Sequence, residues 1–137
     1  MVRPEVIRKR LNKLDGYIAV LETLRKYDFN EFSTDPLIHG SAERYLHLAI
    51  ESINDMGNHI VSDDELGIVN QYSDIPRLIC EKGLISEQQM EIWIKMIGFR
   101  NTLVHDYADI DYSIVYRILH DHLDDLKKFR PVFARYL

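Results

Sequence analysis

The chain has 137 residues, of which 46% are hydrophobic and 28% charged, with 6 Gly, 4 Pro and one cysteine. Such a chain suits one globular domain. Its composition excludes disorder and a turn-rich β-sandwich, and its single cysteine excludes an internal disulfide and a cysteine-based zinc site. The 22 Asp and Glu outnumber the 17 Lys and Arg, and the net charge of −5 argues against binding of nucleic acid through a broad basic surface.

Membrane insertion and secretion are not expected either. No run approaches the roughly 18 consecutive apolar residues of a membrane-spanning helix. The first residues, MVRPEVIRKRLNKLDGY, lack the apolar core of a signal peptide. The lone cysteine also suits a reducing compartment. These features predict a cytoplasmic protein that does not associate with membranes.

The first half of the chain has the apolar periodicity of two long helices. Spacings of three and four predict a first helix from about Pro4 to about Tyr27. Its stripe consists of Ile7, Leu11, Leu14, Ile18 and Leu21. A break is expected at residues 29–36, where Asp35 is a candidate N-cap and Pro36 suits a first helical turn. A second helix then runs from Pro36 to about Val61.

The next segment contains a short helix and the start of a third long one. The short helix is expected from about Ser73 to Lys82, ended by Gly83 in a left-handed conformation. Ser86 and Gln89 have the spacing of a capping box, which predicts that a long helix begins there. This third helix is expected to end between His105 and Asp109.

The last helix is expected to follow an N-cap at Asp109 or Asp111. Pro131 should kink or loosen its final turn. Its expected core residues are Ile114, Ile118, Leu126, Phe129 and Phe133. The chain as a whole is therefore predicted to be all-α. We expect a single domain over residues 1–137, formed by an antiparallel bundle of four long helices plus a short one.

One polar segment, GFRNTLVHDY at residues 98–107, interrupts the bundle pattern. Arg100 could hold a phosphate through its planar guanidinium, and His105 could exchange a proton near neutral pH. Tyr107 offers a phenol that could act as a nucleophile or a hydrogen-bond donor. Asn101 lies one helical turn before His105. An arginine and a histidine are sufficient to cleave RNA without a metal ion.

A purely structural interpretation of the same residues remains open. Arg100 could pair with a carboxylate on a neighbouring helix. His105 could stabilise the C-terminal end of its helix, where a cation is favoured, and Tyr107 could be a half-buried packing residue. A non-enzymatic module that binds a nucleotide or a partner is a second alternative.

The segment resembles a known family. Arg100, His105 and Tyr107 match the Arg-x4-His-x-Tyr motif of the HepT-like proteins of the HEPN superfamily, and the surrounding residues also look like that family. The resemblance extends to INDMGNHI at residues 53–60, to DELG at residues 64–67 and to the segment that begins at Ile110. Phe99 departs from the family, in which Met is more usual, and Trp93 lacks the expected neighbouring proline.

The resemblance implies a function, a partner and a regulation. HepT-like proteins are toxins of prokaryotic toxin–antitoxin pairs, and they resemble metal-independent ribonucleases that use the residues matching Arg100 and His105 at a dimer cleft. The implied partner is an MNT-type nucleotidyltransferase antitoxin, which would transfer AMP to Tyr107. ATP and Mg²⁺ would then belong to the partner, and this chain is expected to need neither a cofactor nor a metal of its own. A homodimer and an RNA substrate are implied as well.

A second polar group occurs on the second helix. Asp55 precedes His59 by one turn and could orient its imidazole, and Asn58 lies beside them. If this helix lines the cleft, the group could support the substrate. The alternative is a hydrogen-bond network between helices. His120 and His122 are two residues apart, which places them on different helix faces, so we do not expect them to share a metal.

Overall fold

The computed structural model describes residues 1–105 and 109–137, and these residues form α-helices without strands. The three long helices are α1 (Pro4–Leu24), α3 (Pro36–Asp63) and α5 (Glu87–His105). The shorter helices are α2 (Phe29–Thr34), α4 (Asp74–Glu81), α6 (Tyr112–Asp121), α7 (Leu123–Lys127) and α8 (Arg130–Ala134). The predicted all-α class is confirmed. Within the described ranges, no helix is both long and apolar enough to cross a membrane.

The helix starts follow the predicted capping residues. The Asp35 carboxylate accepts a hydrogen bond from the backbone N–H two residues on, at 2.9 Å. The capping box closes in both directions, since Ser86 Oγ accepts from Gln89 N at 3.1 Å and Gln89 Oε1 accepts from Ser86 N at 3.3 Å. Of the two caps considered for the last helix, Asp111 caps α6. Gly83 has a φ of 82°, the expected left-handed conformation after α4.

Two segments differ from the predicted pattern. The expected break at residues 29–36 contains the short helix α2, because Asp28 caps it by accepting a hydrogen bond from Glu31 N at 2.8 Å. The last helix is divided into α6, α7 and α8. Its first interruption is at His122, whose φ of −120° and ψ of 1° are not helical. Ile114 is 46% exposed rather than a core residue, and the neighbouring Val115 is buried instead.

The long helix α3 lies at the centre and packs antiparallel to α1. The ring centroids of Tyr17 and Tyr45 are 6.0 Å apart, near the end of α1 and the first third of α3. At the opposite end, the amino terminus of Met1 donates to the carbonyl oxygen of Asp63 at 3.0 Å. The predicted stripe of α1 is buried except for Ile18, which is partly buried. Burial of apolar side chains along this interface is the main stabilising contribution.

Trp93 fixes the position of α5 against α3. Its indole N–H donates to Asn54 Oδ1 at 2.8 Å, which satisfies the one polar atom of a fully buried ring. Phe129 and Phe133 pack edge-on against the indole, with centroids at 5.3 and 5.9 Å. Gly57 on α3 lets the ring approach closely, since a Cβ there would lie 2.6 Å from the Trp93 Cη2 atom.

Replacement of Gly57 by alanine is therefore expected to destabilise the fold. The added methyl group would also lie 2.7 Å from Ile75 Cγ2, and overpacking of this kind costs about 1–3 kcal/mol. Gly16→Ala in α1 is the matched control, because its Cβ would meet nothing within 4 Å. That change should stabilise the protein by about 0.5–1 kcal/mol through helix propensity. Urea unfolding followed by circular dichroism measures both, and equal effects of the two changes would contradict this account.

Candidate functional site

Arg100 is held on three sides in the last part of α5. Its Nε donates a hydrogen bond to Glu51 Oε1 on α3, and its Nη1 donates to Asn101 Oδ1 at 3.1 Å. The guanidinium carbon lies 5.2 Å from the ring centroid of Tyr72, a cation–π contact. Only 15% of the Arg100 side chain is exposed. The guanidinium is therefore fixed in orientation and mostly buried.

The loop between α3 and α4 brings Tyr72 to this position. Asp74 at the start of α4 accepts hydrogen bonds from the backbone N–H groups of Asn70 and Gln71, at 3.0 and 3.1 Å. These bonds hold the pKa of the Asp74 carboxyl below its usual value. They also shape the loop just before the tyrosine. Tyr72 is 42% exposed, so the residue contacts solvent while its ring contacts Arg100.

His105 is the last residue of α5 and is exposed. It follows Arg100 by five residues, which on a helix corresponds to a rise of about 7.5 Å and a rotation of about 140°. Residues 106–108 lie outside the described residues, and the expectation for Tyr107 lies there with them.

Polar residues at intervals of one helical turn line α3 beside Arg100. They are His47, Glu51 and Asp55, and all three are half-buried. Removal from water lowers the pKa of His47, the neighbouring Arg100 lowers it further, and Glu51 opposes this shift. Burial raises the pKa of Asp55, which Arg10 opposes.

The supporting group predicted on α3 is arranged differently from the expectation. Asp55 does not orient His59, because its carboxylate pairs with Arg10 of α1 at 3.2 Å. The His59 Nε2 atom accepts a hydrogen bond from the backbone N–H of Arg3 at 3.2 Å and lies 3.7 Å from Asp63. The contacts with Arg10 and Arg3 join α3 to α1 and the residue before it, as in the inter-helix network considered as the alternative, whereas Asp63 is on α3 itself.

Asn58, the third member of that group, is exposed, and Asn101 bonds to Arg100. The carboxylate that contacts Arg100 is Glu51, one turn before Asp55, and it was not singled out from the sequence. His47 and Tyr72 were not singled out either. The signal that would have found Glu51 and His47 is their spacing of four residues on a helix whose other faces are apolar.

The comparisons with known proteins agree on one family. The model of the family described as "Ribonuclease HepT-like" matches residues 11–132. The "mRNA nuclease HepT" of Shewanella oneidensis is 31% identical over 105 residues, which cover 77% of this chain and 79% of that protein.

Solved structures share the fold over nearly the whole chain. A tri-AMPylated HEPN toxin of Shewanella oneidensis in complex with an MNT antitoxin has a TM-score of 0.87 and 27% identity, covering 95% of this chain and 97% of that one. A toxin–antitoxin structure with AMP-PNP has a TM-score of 0.88 and 26% identity, covering 96% and 98%. The family predicted from the motif region is thus confirmed: the chain belongs to the Ribonuclease HepT-like family and has the fold of a HEPN toxin.

Proposed function

We propose that this chain is the toxin of a toxin–antitoxin pair and cleaves RNA with Arg100 and His105, without a metal ion. The observation that carries the proposal is the fixed guanidinium of Arg100, held by Glu51, Asn101 and Tyr72 on the helix that ends with His105. Family membership supports it, as does the relative named as an mRNA nuclease.

The reaction needs one positive charge and two proton transfers. A base removes the proton from a 2′-hydroxyl, and the oxygen attacks the adjacent phosphorus. An acid protonates the 5′-oxygen as its bond to phosphorus breaks. The products are a 2′,3′-cyclic phosphate and a free 5′-hydroxyl. Arg100 stabilises the negative charge that develops on the phosphorus oxygens, and His105 transfers a proton.

The geometry of Arg100 suits this role. A guanidinium has five N–H donors, and two of them bond to Glu51 and Asn101 within the described part of the chain. The remaining edge is available to the paired oxygens of a phosphate. Because Glu51 and Tyr72 fix the plane of the group, little side-chain entropy is lost on binding. The acidic net charge is compatible with such a local site.

The same proposal includes the assembly. A two-fold homodimer would bring a second Arg100 and His105 to one cleft. The partner would be an MNT-type nucleotidyltransferase that uses ATP and Mg²⁺ to transfer AMP to Tyr107. The structural relatives support this part, since one is described as an AMPylated toxin bound to an MNT antitoxin.

The decisive experiment is RNA cleavage in EDTA by the chain purified without its partner. We expect cleavage of RNA, no cleavage of DNA of the same sequence, and products with 2′,3′-cyclic phosphate ends, because the 2′-hydroxyl is the nucleophile. A preparation of His105→Ala purified in the same way controls for contaminating nucleases. Intact RNA in the presence of unmodified protein would overturn the proposal and favour a binding module.

A further inference from the structure

A second histidine of this chain, His47, lies close enough to Arg100 and Glu51 for their charges to act on it. It is half-buried on α3, one turn before Glu51, the residue that holds Arg100. It is outside the Arg-x4-His-x-Tyr motif. The other histidines of α3 have partners elsewhere: His39 contacts Glu43 at 3.4 Å, and His59 accepts from a backbone N–H of the α1 N-terminus.

The register of α3 against α5 places His47 level with the catalytic segment. Two contacts define this register. Trp93 of α5 donates to Asn54 of α3. Arg100, seven residues later on α5, pairs with Glu51, three residues earlier on α3. The two helices are therefore antiparallel, and residues with higher numbers on α5 lie beside residues with lower numbers on α3. His47 is about 6 Å beyond Glu51 in this direction, and His105 is about 7.5 Å beyond Arg100. Both histidines therefore lie on the same side of the Arg100–Glu51 pair along the bundle axis.

The charges around His47 favour a neutral imidazole. Loss of hydration is the largest cause of its lowered pKa, and the cations of Arg100 on α5 and Arg44 on α3 act in the same direction. Glu51 is the charged group that opposes them. A neutral imidazole has an unprotonated ring nitrogen near pH 7, as a general base requires. His105, exposed at the end of α5, is the second imidazole available for proton transfer.

We infer that His47 is the general base of the RNA-cleaving site and that His105 is its general acid. His47 accepts the proton of the 2′-hydroxyl and becomes an imidazolium. The 2′-oxygen forms its bond to phosphorus, the bond to the 5′-oxygen breaks, and His105 gives its proton to that oxygen. One proton enters the protein and one leaves, so the charge balances, and exchange with water restores both residues. This inference rests on the proposed function and assigns both proton transfers to one chain.

The test is the pH dependence of cleavage by His47→Gln, with His39→Gln as the matched control on the same helix. We expect His47→Gln to reduce kcat/KM by at least about 100-fold and to abolish the acidic limb of the pH profile. His39→Gln should retain the wild-type rate and both limbs. A wild-type rate in His47→Gln, or an equal reduction at every pH with the acidic limb intact, would overturn the inference.

A second measurement does not depend on turnover. In protein labelled with ¹³C-histidine, the His47 signal, assigned by its loss in His47→Gln, should titrate below the usual value of about 6.5. Glu51→Gln should lower this pKa further, because Glu51 raises it. A 2′-deoxy oligonucleotide, which binds without being cleaved, should raise it through its phosphates. An ordinary pKa that responds to neither change would overturn the inference. Absence of cleavage by the wild type would overturn the proposed function as well, whereas cleavage with an unaffected His47→Gln would overturn this inference alone.

Discussion

Replacement of either Arg100 or His105 by alanine is expected to reduce RNA cleavage by at least about 100-fold. Arg100 supplies the positive charge at the phosphate, and its removal leaves no other guanidinium in the same fixed position. His105 supplies a proton to the leaving oxygen. Cleavage is measured with a fluorescent RNA in EDTA, and growth arrest on expression in cells should be lost in parallel.

Arg10→Ala is the matched control for the arginine. Arg10 also pairs with a carboxylate of α3, Asp55, but it lies on α1 and its side chain is 40% exposed. We expect wild-type cleavage from this variant. Wild-type rates from both Arg100→Ala and His105→Ala would contradict the catalytic assignment.

Arg100→Ala also removes the partner of Glu51, and loss of stability must be separated from loss of chemistry. The Glu51 side chain is 25% exposed, so water can solvate part of the unpaired carboxylate. The double change Arg100→Ala and Glu51→Ala removes the unpaired charge and should restore the thermal midpoint without restoring cleavage. Recovery of cleavage in this double variant would show that Arg100 has a structural role only.

The helix caps were predictable from the sequence, because each cap depends only on residues that are close together in the chain. The Asp35 cap and the Ser86–Gln89 capping box are hydrogen bonds between residues two or three apart, and both form as expected. The division of the last helix was not predicted, because nothing in the apolar pattern indicates the non-helical backbone of His122. In α6 the buried face also differs by one residue from the predicted one, so that Ile114 is exposed and Val115 is buried.

The same limit applies to the site, of which only the residues close together in sequence were predictable. Arg100 and His105 lie on one turn and a half of one helix, so a motif can contain them. Glu51 is 49 residues from Arg100 in sequence, and only the packing of α3 on α5 brings them together. Asp55, considered from the sequence as a partner of His59, instead pairs with Arg10 of α1. Which carboxylate of α3 meets Arg100 depends on how α3 packs against α5, where Trp93 donates to Asn54.

Transfer of AMP to Tyr107 is expected to abolish cleavage. Tyr107 follows His105 by two residues, so a group attached to it stays close in the chain to the end of α5. The transferred phosphate adds negative charge that repels the RNA backbone and competes for Arg100. The purified chain is incubated with the nucleotidyltransferase, ATP and Mg²⁺, and intact mass and cleavage are measured on the same sample. Gain of AMP units should coincide with loss of activity.

Tyr107→Phe should separate modification from binding. The variant lacks only the phenol oxygen, so we expect it to cleave RNA, to gain no AMP and to remain active after incubation with the partner and ATP. Tyr112→Phe, which changes a tyrosine that is 37% exposed five residues further on, should behave as the wild type. Gain of AMP by Tyr107→Phe would place the acceptor elsewhere. If Tyr107→Phe loses activity with the partner in the absence of ATP, the partner inhibits by covering the site. No phosphate would have been added near Arg100 under those conditions.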